Sequence, residues 1–136
     1  MGILNTVEDV LQSMDAYTIR MRIYNQMVRH AEASLKNLVL NDPSWYYHTA
    51  RSTVVVKTVR DTFYEDYHNA YLNDDGVLIL PRRCKVIRIK RLFQLDDNEI
   101  DILIKAKICK IFDDRIYFDN RFIDELRVYV CQQVNA

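Results

Sequence analysis

Glycine and proline are nearly missing from this chain, with two of each among 136 residues. Gly2 stands at the start and Gly76 follows two aspartates, so no glycine-rich loop is left to cradle a phosphate. The common nucleotide-binding sites are thereby excluded, and the turns fall to Asp and Asn. An excess of charge of either sign is missing too. Nineteen basic residues balance nineteen acidic ones, and no net field draws the molecule to DNA or to an anionic membrane. Cysteine is scarce and odd in number: Cys84, Cys109 and Cys131 lack C-x-x-C spacing and sit in apolar or alternating surroundings. That pattern predicts reduced core thiols in a cytoplasmic product. No apolar run approaches membrane-spanning length, so no membrane partner is expected. The opening "MGILNTVEDVLQSM" has no positive segment and gains Glu8 and Asp9 early, which argues against a signal peptide. Only its Met-Gly start and Thr6 match a myristoylation signal.

What is present suits a globular domain. Apolar residues make up 49% and charged residues 28%, near the averages for soluble folds, and the length favours one domain over residues 1–136. Leu4, Val7, Val10, Leu11 and Met14 recur at helical spacing. A second helical pattern runs through Tyr24, Met27, Val28, Ala31, Leu35 and Leu38 and stops at Pro43. A third helix is expected over 46–71, with Val56, Val59, Phe63, Tyr67 and Ala70 on one face, despite the β-branched "TVVV" near its start.

Beyond "NDDG" the period changes to two. Ile87, Ile89 and Phe93, then Ile100, Ile102 and Ile104, alternate with charged residues in the manner of half-buried strands. "KICKIFDDRIYF" predicts two short strands joined by a tight turn at Asp113 and Asp114. Phe122, Ile123, Leu126, Val130 and Val134 return to helical spacing, with Asp119 or Asn120 as cap. The expected fold is α+β: a bundle of about four helices with a small antiparallel β-meander. Its helices span residues 3–72, its strands 77–118 and its closing helix 121–134, and Ile87, Ile89, Ile102 and Ile104 are expected on the sheet's apolar face.

Chemistry is sparse. His30, His48 and His68 lie far apart, and the Glu65–His68 pair lacks the second copy that a di-iron carboxylate site requires. Each cysteine occupies an apolar position where a thiol packs as a small hydrophobe, and no serine stands in a nucleophile elbow. Asn73 to Gly76 lacks the ligand pattern of a calcium loop. The sequence predicts no enzyme, no metal and no cofactor.

The one concentrated feature is "DDGVLILPRRCKVIRIKR". Arg82, Arg83, Lys85, Arg88, Lys90 and Arg91 crowd one segment, and Asp96, Asp97, Glu99 and Asp101 follow at once. Adjacent patches of opposite sign can complement a second copy of the chain. As a strand, this segment places Lys85, Ile87, Ile89 and Arg91 on one face and Val86, Arg88, Lys90 and Leu92 on the other. Nucleic-acid sheets interleave aromatics on the reading face, and here only Phe93 follows.

"ARSTVVVKTVRDTFYEDYHNAYL" followed by "DDGVLILPRRCKVIRIKRL" resembles the core of the head-to-tail adaptor, or connector, family of tailed bacteriophages, which includes the gatekeepers of short-tailed phages. The matching residues are Ala50, Val59, Arg60, Asp61, Asn69, Leu80 and Pro81. "TVEDVLQSMDA" resembles the family's opening helix, and "FIDELRVYVCQQVNA" its closing helix. Tyr67 and His68 replace the usual Pro-Trp pair, and residues 17–45 have no counterpart. The resemblance implies a virion structural protein of the neck and tail, made in the host cytoplasm. It implies a homo-oligomeric ring of about twelve copies between the portal protein and the tail or nozzle protein, with double-stranded DNA passing through its lumen without sequence recognition. Arg82, Arg83, Arg88, Lys90 and Arg91 would then meet Asp96, Asp97, Glu99 or Asp113 and Asp114 of a neighbour. The alternatives are a small nucleic-acid-binding protein that uses the basic strand 82–91, and a small enzyme or antitoxin-like regulator.

Overall fold

The structure, a computed structural model, describes residues 3–41, 51–64, 71–72, 74–79 and 83–135. Its elements are α1 (Ile3–Asn41), α2 (Arg51–Phe63), β1 (Tyr71–Leu72), β2 (Leu78–Ile79), β3 (Arg83–Lys85), α3 (Val86–Phe93), α4 (Asp97–Lys105), β4 (Cys109–Phe112), β5 (Arg115–Phe118) and α5 (Asn120–Asn135). Helices gathered around a small antiparallel sheet make the fold α+β, as expected. Five helices rather than about four are present among the described residues.

The first two expected helices are one. No glycine or proline interrupts residues 3–41, and Ala16, Ile19, Ile23, Met27 and Ala31 carry a buried stripe across the expected break. This helix packs against α2, α4 and α5. The third expected helix is shorter than its pattern. It ends at Phe63, while Tyr71 and Leu72 instead pair with Ile79 and Leu78 in a small hairpin. Gly76 turns in that hairpin with φ 77°, a conformation that costs glycine nothing.

The expected strand region 77–118 contains two helices, which corrects the period-two assignment. Ile89 and Phe93 are fully buried one turn apart, whereas Ile87 is 51% exposed. In α4, Ile100 and Leu103 are buried while Ile102 and Ile104 are only half-buried. Over eight or nine residues, periods of 2 and 3.6 share most of their apolar positions. The local tie-breaker is the capping box. The Asp96 carboxylate accepts from the Glu99 N–H at 2.8 Å, and Glu99 Oε1 accepts from the Asp96 N–H at 3.2 Å, which satisfies donors that a helix start leaves open.

The meander is corrected as well. The sheet order is β3-β5-β4, so β5 is central and α3 and α4 intervene between the two outer strands. The β4–β5 hairpin turns at Asp113 and Asp114 as the sequence predicts, with Phe112 opposite Arg115. Asp113 takes the left-handed conformation there, at φ 57°, which a short polar side chain tolerates. Asp119 caps α5, its carboxylate accepting from the Arg121 N–H at 3.1 Å.

Cys84 and Ile116, paired across β3 and β5, and Phe118 at the end of β5 turn toward the core. Leu126, fully buried on α5, faces the same interior. Leu126→Ala is expected to destabilise the protein by about 2–5 kcal/mol in urea denaturation. Val128→Ala, at a position 58% exposed, is expected to shift stability by no more than about 0.5 kcal/mol.

Candidate functional site

One ion pair, Lys90–Asp97, joins the basic and acidic runs, and Arg88 and Glu99 are engaged by other parts of the chain. Arg88 reaches from α3 to the end of α2, where its guanidinium donates to the Asp61 carbonyl at 2.8 Å and the Thr62 carbonyl at 3.0 Å. Those carbonyls belong to the last turn of a helix, where acceptors lack partners and the helix dipole favours a cation. Lys90 donates to Asp97 Oδ1 at 2.6 Å. Glu99 accepts from Arg22 of α1 at 2.6 Å while also serving in the capping box. Arg88, Lys90, Asp96, Asp97 and Glu99 are thus engaged within the chain, and Arg91 is exposed. Arg82 lies outside the described residues, as do His48, Glu65 and His68.

Because residues 86–91 are helical, the basic strand of the nucleic-acid alternative shrinks to Arg83 and Lys85. Strand pairing gives these two new neighbours. Arg83 lies opposite Tyr117, which lies opposite Lys110, and Lys85 lies opposite Arg115, which lies opposite Phe112. These six positions share the sheet face away from the core, where the only aromatic ring on the central strand is that of Tyr117. Arg83 Nη1 donates to the Tyr117 hydroxyl at 3.3 Å, and Arg115 lies 3.8 Å from Asp114. Phe93, the aromatic the sequence offered for this face, is instead buried and stacked on Phe63 with ring centroids 5.8 Å apart. Tyr117 and Lys110 also border a cavity of about 500 Å³.

The tip of the β4–β5 hairpin is a separate feature. Phe112 is 69% exposed, and it is followed by exposed Asp113 and Asp114 at the turn. Elsewhere, α2 and α5 flank a groove of about 410 Å³ lined by Val56, Val59, Ile123 and Tyr64 together with Arg60, Arg127 and Asp124. Arg127 also bonds Asp124 within α5. Only the folded arrangement brings these residues together, and no shared local pattern marks them in the sequence.

Cys84 and Cys109 are buried, and Cys131 is half-buried. Burial pushes the Cys109 thiol from 9.0 up to about 12, which suppresses the thiolate that nucleophilic or ligand chemistry would use. Among the described residues, no three His, Cys, Asp or Glu side chains gather as a metal site, and no helix is long and apolar enough to cross a membrane. No protein-family model, curated protein or solved structure matches this chain.

Arg88→Ala is expected to cost about 1–3 kcal/mol in chemical denaturation, because it strips charged donors from two helix-end carbonyls. Lys90→Ala is expected to cost about 0–1 kcal/mol, since its Asp97 partner is 90% exposed. The raised Cys109 value also sets a pH dependence. Unfolding releases the thiol to ionise near pH 9.0 while the folded thiol holds its proton to about 12, so its contribution is intact below that window and is lost as pH rises through it. Denaturation curves between pH 8 and 11 are therefore expected to fall less steeply for Cys109→Ala than for the parent chain.

Proposed function

We propose that this protein is a ring-forming head-to-tail adaptor that joins a phage portal to its tail and lets double-stranded DNA pass through the lumen without reading its sequence. The observation that carries this reading is the pair of unlike surfaces on one subunit. Phe112 with Asp113 and Asp114 forms an apolar knob tipped with negative charge, and the α2–α5 groove offers apolar walls with Arg60 and with Arg127, which Asp124 partners within α5. A surface that fits a different surface on the next copy generates a head-to-tail contact, which closes into a ring when the rotation between copies is right.

The chemistry of the two surfaces is matched. A large aromatic entering a pocket of Val56, Val59 and Ile123 supplies the buried anchor typical of interface centres, while carboxylates meeting arginines at the rim steer approach and fix orientation. The resemblance to adaptors points the same way, because two residues of its Val-Arg-Asp triplet, Val59 and Arg60, line the groove. The third, Asp61, lends its carbonyl to Arg88. In this reading the subunit contact moves from the 82–99 segment, whose charges are largely engaged within the chain, to the hairpin tip and the groove. Portal and tail proteins would then occupy the two ends of the ring.

Sedimentation velocity and negative-stain images test the contact. The parent chain is expected to form closed rings, and Asp114→Arg or Arg127→Glu to leave smaller species with unchanged thermal melts. Mixing the two variants is expected to restore rings, because an arginine tip then meets a glutamate groove and an aspartate tip meets an arginine groove in alternation. Rings of Asp114→Arg alone that are as stable as the parent's would overturn the knob-and-groove contact.

A further inference from the structure

We infer that the outward face of the β3-β5-β4 sheet, centred on Tyr117, is a binding surface for single-stranded nucleic acid. The inference does not rest on the ring reading, since Tyr117 lies toward the base of the hairpin and the proposed subunit contact uses its tip. Pairing puts Arg83 on one side of Tyr117 and Lys110 on the other, with Lys85 and Arg115 in the next row. The six outward positions therefore hold four cations, Tyr117 and, at the tip end, Phe112, and none carries an acid. At the tip end, Asp114 of the turn lies 3.8 Å from Arg115.

Single strands are held by this combination: a base stacks on an aromatic face while flanking cations follow the phosphates. The Arg83 hydrogen bond to the Tyr117 hydroxyl holds the phenol between the two flanking strands. The adjoining cavity, bordered by Lys107, Lys110, Asp119 and Asn120, has room for an unstacked base. Duplex DNA fits this face less well, because its bases are already stacked and it could use the cations alone. A sheet of three- and four-residue strands spans only a few nucleotides, so the contact is short and is set by charge and stacking rather than by base order.

Fluorescence anisotropy tests this with a labelled oligo(dT) of about fifteen nucleotides, the matching duplex and inorganic polyphosphate as competitors. The parent chain is expected to bind oligo(dT) at low salt, more tightly than the duplex. Tyr117→Leu, which keeps apolar bulk without a π-face, is expected to weaken binding at least fivefold, and Tyr117→Phe to retain it. Lys110→Gln is expected to weaken binding and to flatten the salt slope by about 0.7. The proposal falls if oligo(dT) does not bind, if the duplex binds as tightly, or if Tyr117→Leu binds like the parent. It falls equally if polyphosphate of matched charge displaces oligo(dT) at equal concentration, since charge alone would then account for the binding. Lys110→Gln lies on an exposed side chain and keeps the test open should the tyrosine variant fold poorly.

Discussion

A continuous file of aromatic rings holds this molecule together. Tyr129 meets Tyr24 at 5.1 Å, Tyr24 meets Phe122 at 5.6 Å, Phe122 meets Phe118 at 5.3 Å, Phe118 meets Phe63 at 4.9 Å, and Phe63 meets Phe93 at 5.8 Å. Each separation is within the range of favourable ring contacts, which add about 0.5–1.5 kcal/mol apiece beyond the area they bury. The file runs from α5 to α1, back to α5, into β5, and on through α2 to α3. It thereby fixes the sheet against the bundle. Tyr129 sits at one end, its hydroxyl donating to Asn25 Oδ1 at 2.9 Å, so the polar tip of that ring is satisfied near the surface.

Helix ends supply the second constraint. Arg88 closes the C-terminal carbonyls of α2, and Arg51 donates to the Val134 carbonyl near the end of α5 at 3.0 Å. In both cases a guanidinium from one element stitches the negative end of another, satisfying acceptors that the helix leaves open. This explains why a chain with so many arginines shows less free positive surface than its sequence suggests. Phe93 in the core and Arg88 at the end of α2 hold α3 at two points, and the chain leaving α3 enters α4 through the Asp96–Glu99 box.

Two surface features stand outside these internal contacts, and the proposed contacts use them. The hairpin tip is apolar and acidic, and the α2–α5 groove is apolar with two arginines and Asp124. The outward sheet face is basic and centred on one tyrosine. The sheet face arises from β5, whose central place in the sheet gives one side of the strand to the core and the other to solvent.

Legible in the residues alone were the α+β class, the helical character of the opening and closing segments though not their bounds, the Asp113–Asp114 turn, a cap at Asp119 or Asn120, and the burial of Cys84 and Cys109. Each rests on interactions among residues close in the chain, or on an apolar stripe long enough to show its period. Short segments were different. Residues 86–93 and 97–105 carry patterns that serve strand and helix alike, and although "DDNE" spelled a capping box, alternation was the louder signal. The candidate sites were hardly legible at all. Tyr117 is separated from Arg83 by 34 positions, and nothing local announces that β5 rather than β4 pairs with β3. Only tertiary structure decided that, because strand partners and groove walls are chosen by which apolar faces close the common core, and the side chains left outside become neighbours as a consequence.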